Sequence, residues 1–506
     1  MLVLRAVRRA LPGRRRHRQH PVPVALEEDG STTMSSTCLR LTALLLGIAA
    51  VATLATGCGA GDDGKTVTVN IGYQSKTINT VTAGTLLRDR GTFEAELAEL
   101  GKAKGLTYKV EWKDFAAGPP LTAQMLAGQV DIGSMGDAPI LVNGSKTRDH
   151  ADVKSELIAV TGYNLRGSLN QIVVPLDSPA STLADLRGQI VSTSVGSAAH
   201  GMLATGLSAA GMTLDDVKLL GQDPAVGASA LQGDQVGALA QFVPWPQKLV
   251  HDGKARLLYD GGSAGIPTFH AVVANERFGA QNPDVVTAFL TAQRETTDYL
   301  NQHPLAAALR VAEITGLPAE VVYLYNGPNG LVSFDPTIKP QQVDALGTLL
   351  PFLKSLGALS DLNLGEFVDD RYVRAVYGAG YETARASTAA PAPLAGTDSV
   401  CGGAVDGLAG ASEVWFADTT ATAVARTPTC LLRQIEAKGG AVRAAYVPDH
   451  ATGTRLFAAT ATWVSDPAAG PDDRLLPFAI RADAQQYAAA HPGSAVIDYQ
   501  AALKAR

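Results

Sequence analysis

The groups in this 506-residue chain whose types and spacing can do chemistry are mostly backbone amides at three turns. Glu111 to Val142 reads as a short strand through Trp112 and Phe115, a Gly118-Pro119-Pro120 corner, a helix over Leu121 to Ala127, a second strand at Val130 to Ser134, and a second corner at Gly136-Asp137-Ala138-Pro139. Each strand therefore runs into a helix start. Proline in the first turn gives up an amide hydrogen the helix cannot use, while glycine ahead of it lets other N–H groups face outward. Val195-Gly196-Ser197-Ala198-Ala199-His200 is a third corner of the same kind, in which Ser197 can cap the helix and still offer its hydroxyl. One such corner is an ordinary strand-to-helix turn, but two in tandem and a third further on make a socket for a small anion, because unpaired amides and positive helix ends converge. Covalent catalysis finds no support. Ser197 and His200 lie within one helical turn, with no third member to complete a nucleophile, base and acid.

Alternating strands and helices must carry these corners. Leu157 to Val160 and Gln171 to Val174 read as strands flanking a crossing from one lobe to another, and the return crossing falls near Thr268 to Val273. Arg166 lies on the first crossing, where its guanidinium either faces an anion in the cleft or is a surface group. The second lobe opens with Ser181 to Gly188, a capped helix, followed by the strand Gln189 to Ser194, and Val236 to Pro246 is a buried strand broken at proline. Pro283 to Leu300 and Ala306 to Thr315 read as amphipathic helices completing the first lobe, with Tyr323, Tyr325 and Asn326 in a loop between later helices. The alternation with two crossings predicts two α/β lobes around a cleft.

Ala116-Ala117-Gly118-Pro119-Pro120 through Leu126-Ala127-Gly128-Gln129-Val130-Asp131 to Gly136-Asp137-Ala138-Pro139 resembles the first-lobe signature of solute-binding proteins of ABC importers in the aliphatic sulfonate, taurine and nitrate group. The similarity runs over roughly Val67 to Tyr377. It implies the type II periplasmic-binding-protein fold, a small anionic solute, ABC permease subunits as partners and no cofactor. It also implies that Gln74, in the loop leaving the first strand, faces the ligand, and that Gly196-Ser197-x-x-His200 is the second-lobe helix start at the cleft. Phe242, Pro244 and Trp245 keep the family's aromatic, proline and aromatic positions, so Trp245 is expected to close over an organic group or else to pack in the core. Gly237, Leu239 and Val243 depart from the family's acid, first tryptophan and second acid, which leaves the ligand's identity open.

Composition sets the class. With 46% apolar and 18% charged residues the chain is globular, and its length allows two or three domains. Eight of the 42 basic residues and three of the 48 acidic ones precede Cys58, leaving a formal charge of −11 from Cys58 onward, which argues against nucleic acid. Arg40, the apolar run Leu41 to Leu54 and the ending Ala55-Thr56-Gly57-Cys58 read as a secretory signal, and Leu54 to Cys58 resembles a bacterial lipobox. Cys58 is then the lipidated first residue of a protein tethered to the outer face of the cell membrane. The expected divisions are a basic extension over 1–33, a signal over 34–57, a tether over 58–65 and a solute-binding domain over 66–380. Within that domain the first lobe takes about 66–162 and 270–380 and the second about 170–268. A linker over 381–400 and a small α+β domain over 401–506 follow.

In the tail, Cys430-Leu431-Leu432, Ala445 to Asp449, Thr462-Trp463-Val464 and Leu476 to Ala484 resemble the small lipoproteins that deliver copper during nitrous oxide reductase maturation. Copper(I) prefers thiolate and thioether, yet no methionine occurs beyond Met212. Cys401 and Cys430, with His450, can hold a metal, and two cysteines in a small exported domain equally form a disulfide. A disulfide or free thiols rank ahead of metal. The expectation for the whole chain is a lipid-anchored, non-catalytic binding component of an importer. The alternatives are a copper-handling accessory protein acting through the tail, or a receptor for a thiamine-pyrimidine precursor.

Overall fold

A computed structural model describes residues 65–505. The basic extension, the signal and Cys58 lie outside the described residues. Among the described residues no helix is long and apolar enough to cross a membrane.

The chain lays down β1 (Thr66–Tyr73), β2 (Thr107–Asp114), β3 (Ile132–Gly136) and β4 (Ser155–Asn164) and then crosses to a second lobe. There it forms β5 (Asn170–Pro175), β6 (Ile190–Thr193), β7 (Lys218–Gly221), β8 (Ala238–Phe242) and β9 (Ala255–Asp260), and returns with β10 (Thr268–Asn275) and the short β11 (Ser333–Phe334). The first sheet has the order β11-β4-β10-β3-β1-β2 and the second β7-β6-β8-β5-β9. In each, one strand has come from the other lobe: β5 runs antiparallel between β8 and β9, and β10 antiparallel between β3 and β4. The neighbours β1–β2, β1–β3, β6–β7 and β6–β8 are parallel, and β11 runs antiparallel to β4. This is the two-lobed periplasmic-binding-protein fold with two crossovers. Every residue of β3 and β8 is buried, as expected for sheets covered by helices on both faces. The first-lobe core gathers Ile71, Leu121, Ile132, Leu157, Val272 and Phe289 among others.

The tail folds as α+β in two units with the same order of elements. In the first, β12 (Ser412–Phe416) and β13 (Thr422–Ala425) form an antiparallel pair, the helix Pro428–Lys438 follows, and β14 (Val442–Pro448) joins the other edge of β12, with β15 (Arg455–Phe457) beyond it. In the second, β16 (Thr462–Ser465) pairs with β17 (Leu475–Phe478), and after the helix Arg481–Ala490 β18 (Ala495–Ile497) joins the other edge of β16. Cys401 and Cys430 form a disulfide, with their Cα atoms 5.8 Å apart. In that form neither sulfur is a thiolate, and the tail supplies no thioether. These residues do not fit a copper(I) centre.

Over 381–400 the chain is not a free linker. Tyr381–Ala386 is helical, Leu394 is buried, and the Asp398 carboxylate accepts the backbone N–H groups of Val400, Cys401 and Arg426, each at 2.9 Å. Tyr323, Tyr325 and Asn326, expected in a loop, lie in the buried helix Ala319–Asn326. The reason is the tail itself. Tyr323 donates its hydroxyl to Glu413 Oε1 at 2.7 Å, and its ring meets Trp415 and Tyr446 edge-on. Tyr446 donates to the carbonyl of Glu320 at 3.0 Å. The Arg455 guanidinium bonds Glu413 Oε2 at 2.5 Å and also reaches the carbonyl of Pro328, both side chains being almost wholly buried.

Removing one partner of a buried ion pair leaves the other charge unsolvated. Arg455→Ala is therefore expected to lower stability by about 3–5 kcal/mol, while Tyr323→Phe, which loses one hydrogen bond, lowers it by about 1 kcal/mol. Denaturant midpoints of the two variants measure both losses, and equal losses would show that the ion pair does not hold the tail in place.

Candidate functional site

The three corners meet. The helix Gly118–Leu126 follows β2, Asp137–Thr147 follows β3 and Ala198–Ala209 follows β6, so the first two start in one lobe and the third in the other. A methyl group on Gly118 would stand 2.5 Å from Pro139 Cβ, inside contact distance, so only glycine lets these two starts pack. On Gly136 it would lie 3.3 Å from His270 Cε1 and 3.4 Å from Ala198 Cβ, and on Gly196 it would lie 3.5 Å from Pro119 Cγ. Glycines and prolines from both lobes thus line one gap. Ala117, just before the first corner, shares an apolar cluster with Ala199, Phe242 and Trp245 of the second lobe. Trp245 is buried at the start of the helix Trp245–His251.

Electrostatics in the gap differ from the simple picture of open amides. Ser197 Oγ caps its helix by accepting from His200 N at 3.4 Å, and His200 Nδ1 accepts from Gly196 N at 3.3 Å. Burial lowers the His200 pKa, so the ring is neutral. Asp137 is fully buried. Its Oδ1 accepts from Ala138 N at 2.7 Å, and the backbone of Phe269 also donates to the carboxylate, yet burial still pushes the group up to about 6. The Gly136-Asp137-Ala138 corner therefore does not present its amides to a ligand as expected, because the protein's own carboxylate takes the Ala138 N–H. Asp137 and Ala198 both line a small cavity of about 50 Å³ that continues past Asn170, Met202, Tyr259 and Leu349. With a water needing about 10–15 Å³ on such a measure, the cavity has room for a few waters or a compact solute.

Two of the expected residues lie elsewhere. Arg166 is exposed and donates Nη1 to the carbonyl of Thr452 in the tail at 2.7 Å. Gln74 is buried beneath the site, donating Nε2 to the carbonyl of Ser134 at 3.0 Å and accepting from Thr77. Gly118, Pro119, Gly136, Asp137, Ala138, Gly196, Ser197, Ala198, His200, Phe242 and Trp245 stand at or beside the gap.

Other residues join them that local pattern did not single out. His270 on β10 abuts Gly136, and its Nδ1 lies 2.6 Å from Asn79 Nδ2. Full burial holds the His270 pKa near 3. Asn79 Oδ1, Ser134 Oγ, Thr193 Oγ1 and His200 Nε2 are buried with no hydrogen-bond partner among the described residues. On the second-lobe wall Gln241 Nε2 donates to Ser194 Oγ at 3.1 Å, and Ser194 Oγ to the carbonyl of Gln222 at 3.0 Å. The only signal for His270 in the sequence is a histidine inside the apolar run Phe269 to Ala274.

Residues 119–307 match the family described as NMT1/THI5 like. The chain is 28% identical over 284 residues to a putative aliphatic sulfonates-binding protein of Escherichia coli K12, covering 56% of this chain and 81% of that protein. It is 25% identical over 287 residues to the taurine-binding periplasmic protein of the same organism, covering 54% and 83%. Among solved structures, the alkanesulfonate-binding protein of Xanthomonas axonopodis pv. citri bound to MOPS is similar with a TM-score of 0.51 and 24% identity, covering 60% of this chain and 98% of the other. That likeness shows the fold.

His270 is neutral in the folded protein down to about pH 3, whereas an unfolded histidine takes a proton near 6.5. The unfolded state therefore binds more protons through this window, and the His270 contribution is full above the unfolded value and lost as pH falls toward 3. Asp137, raised to about 6, works in the opposite sense. His270→Gln should flatten the fall in stability between about pH 6.5 and 4 relative to the unmodified chain, as read from denaturation midpoints across that range.

Proposed function

We propose that this chain is the extracytoplasmic solute-binding component of an ABC importer, tethered to the outer face of the membrane by lipid on Cys58, and that it takes a small anion such as an aliphatic sulfonate, taurine or nitrate. The observation that carries the reading is the meeting of three glycine-marked helix starts from two lobes at one gap. Amides aimed from both sides can wrap an oxyanion, and a ligand that touches both lobes favours the closed form by its extra contacts with the second. Similarity to proteins described as sulfonates-binding and taurine-binding supports the same class. The lipobox-like Leu54 to Cys58 supports the anchor. Trp245 and Phe242, buried in one apolar cluster with Ala117, would supply an apolar wall for the organic part of the solute.

A second reading, a receptor for a thiamine-pyrimidine precursor, draws on the buried Asp137 carboxylate and the neutral His270, which suit a heterocycle with N–H donors and ring acceptors. Binding to the folded state alone raises thermal stability. The chain from Gly59 onward should melt higher, by a few degrees, with a sulfonate present at about a hundredfold over its dissociation constant, and Trp245→Ala should shrink that rise. No shift with any sulfonate or with nitrate, together with a shift for an aminopyrimidine, would transfer the assignment to the second reading.

A further inference from the structure

The tail touches the first lobe, the second lobe and the crossing between them. The firm contact is with the first lobe. Glu413 accepts the Tyr323 hydroxyl at 2.7 Å and the Arg455 guanidinium at 2.5 Å, Tyr446 donates to the carbonyl of Glu320 at 3.0 Å, and Arg443 pairs with the Glu320 carboxylate. The helix that receives them, Ala319–Asn326, is tied to the first lobe by Asn326 Nδ2, which donates to the carbonyl of Ile78, beyond β1, at 3.0 Å. Sliding the tail along this helix would leave Arg455 and Glu413 as unpaired buried charges.

The contacts with the other two parts are lighter. On the crossing between β4 and β5, the exposed Arg166 donates to the carbonyl of Thr452 at 2.7 Å. On the second lobe, the ring of His251 lies 5.3 Å from that of Phe457, centre to centre. Asp260, which ends β9 at the return crossing, is buried and accepts from Ser168 Oγ of the first crossing at 3.1 Å, and the charges of Arg166 and of Asp449 in the tail both act on it. Val81 of the first lobe, Leu169 of the crossing and Val243 of the second lobe share one buried apolar cluster with Ala444, Tyr446 and Phe457 of the tail. We propose that the tail is a strap across the hinge, fixed firmly to the first lobe and lightly to the second, and that it holds the lobes together before any solute arrives. Opening swings one lobe away from the other about the crossings. A body anchored on the first lobe must then release the second, and a single hydrogen bond and a ring contact are what yields. In this structure both contacts coexist with lobes that meet at the cleft, where a methyl group on Gly136 would lie 3.4 Å from Ala198 Cβ. Interactions made only in one arrangement shift the population toward it. The strap therefore raises the closed fraction of the free protein, and with it the apparent affinity for whatever solute the closed form holds.

The test is the distance between the lobes in the chain from Gly59 onward, without added solute. Its only cysteines are the disulfide pair, so spin labels on Lys102→Cys in the first lobe and Lys218→Cys in the second report that distance by pulsed electron resonance. The otherwise unmodified chain should give mainly one short-distance population. Arg166→Ala combined with His251→Ala cuts the light contacts from outside the tail and should add a longer-distance population. Phe457→Ala should do the same from the tail's side, and adding His251→Ala to it should lengthen nothing further, as expected of two residues that act through one contact. Where Phe457→Ala loosens the tail itself, seen as a lower melting point, the Arg166 and His251 pair decides alone. A distance distribution unchanged by that pair overturns the proposal and makes the tail a passenger on the first lobe. A long-distance population already dominant before any contact is cut overturns it as well. Neither result depends on which solute the cleft takes, so the importer reading stands or falls separately.

Discussion

Strand exchange between the two lobes is the constraint on which the rest of this structure depends. β5 and β10 each leave the sheet they follow in sequence and are buried as an antiparallel strand inside the other. A strand paired on both sides and covered on both faces cannot slide or turn without breaking its ladder. The parallel strands on either side therefore keep a fixed register, and their C-terminal ends, where helices begin, point into the space between the lobes. The convergence of Gly118, Gly136 and Gly196 follows from that geometry.

The tail adds a second constraint of a different kind. Its first unit docks on the helix Ala319–Asn326 through a polar centre, Glu413 with Arg455 and Tyr323, enclosed by the rings of Trp415 and Tyr446. The same unit touches the crossing through Arg166 and the second lobe through the ring contact of Phe457 with His251. Buried charge pairs gain little over apolar packing but punish misplacement, so they fix one orientation of the tail. The Cys401–Cys430 disulfide and the Asp398 carboxylate pin the incoming segment to the same body.

Local chemistry in the cleft is governed by desolvation. Burial drives His270 to its neutral form and pushes Asp137 up to about 6, and two hydroxyls, Ser134 Oγ and Thr193 Oγ1, are buried with no partner among the described residues. Such a mixture reads solutes by their pattern of donors and acceptors more than by net charge.

By itself the sequence determined the strands, the corners and the helix starts, because glycine, proline and serine act within a few residues and the corners at 118, 136 and 196 announce themselves locally. The two crossings were legible in the same way, whereas the cysteines at 401 and 430 left disulfide, free thiols and metal open until the fold paired them. Tertiary structure alone decided what each side chain meets. Arg166 reads equally as a cleft cation or a surface group until the tail draws it to Thr452, and Tyr323 reads as a loop residue until Glu413 accepts its hydroxyl. His270 looks like one polar residue in an apolar strand, and Asp137 like an open helix start, until β10 is threaded beside β3 and the Phe269 backbone closes over the carboxylate. Partners 90 to 286 residues away carry no trace in local periodicity, since the burial and charge they impose arise only when separate elements are packed together.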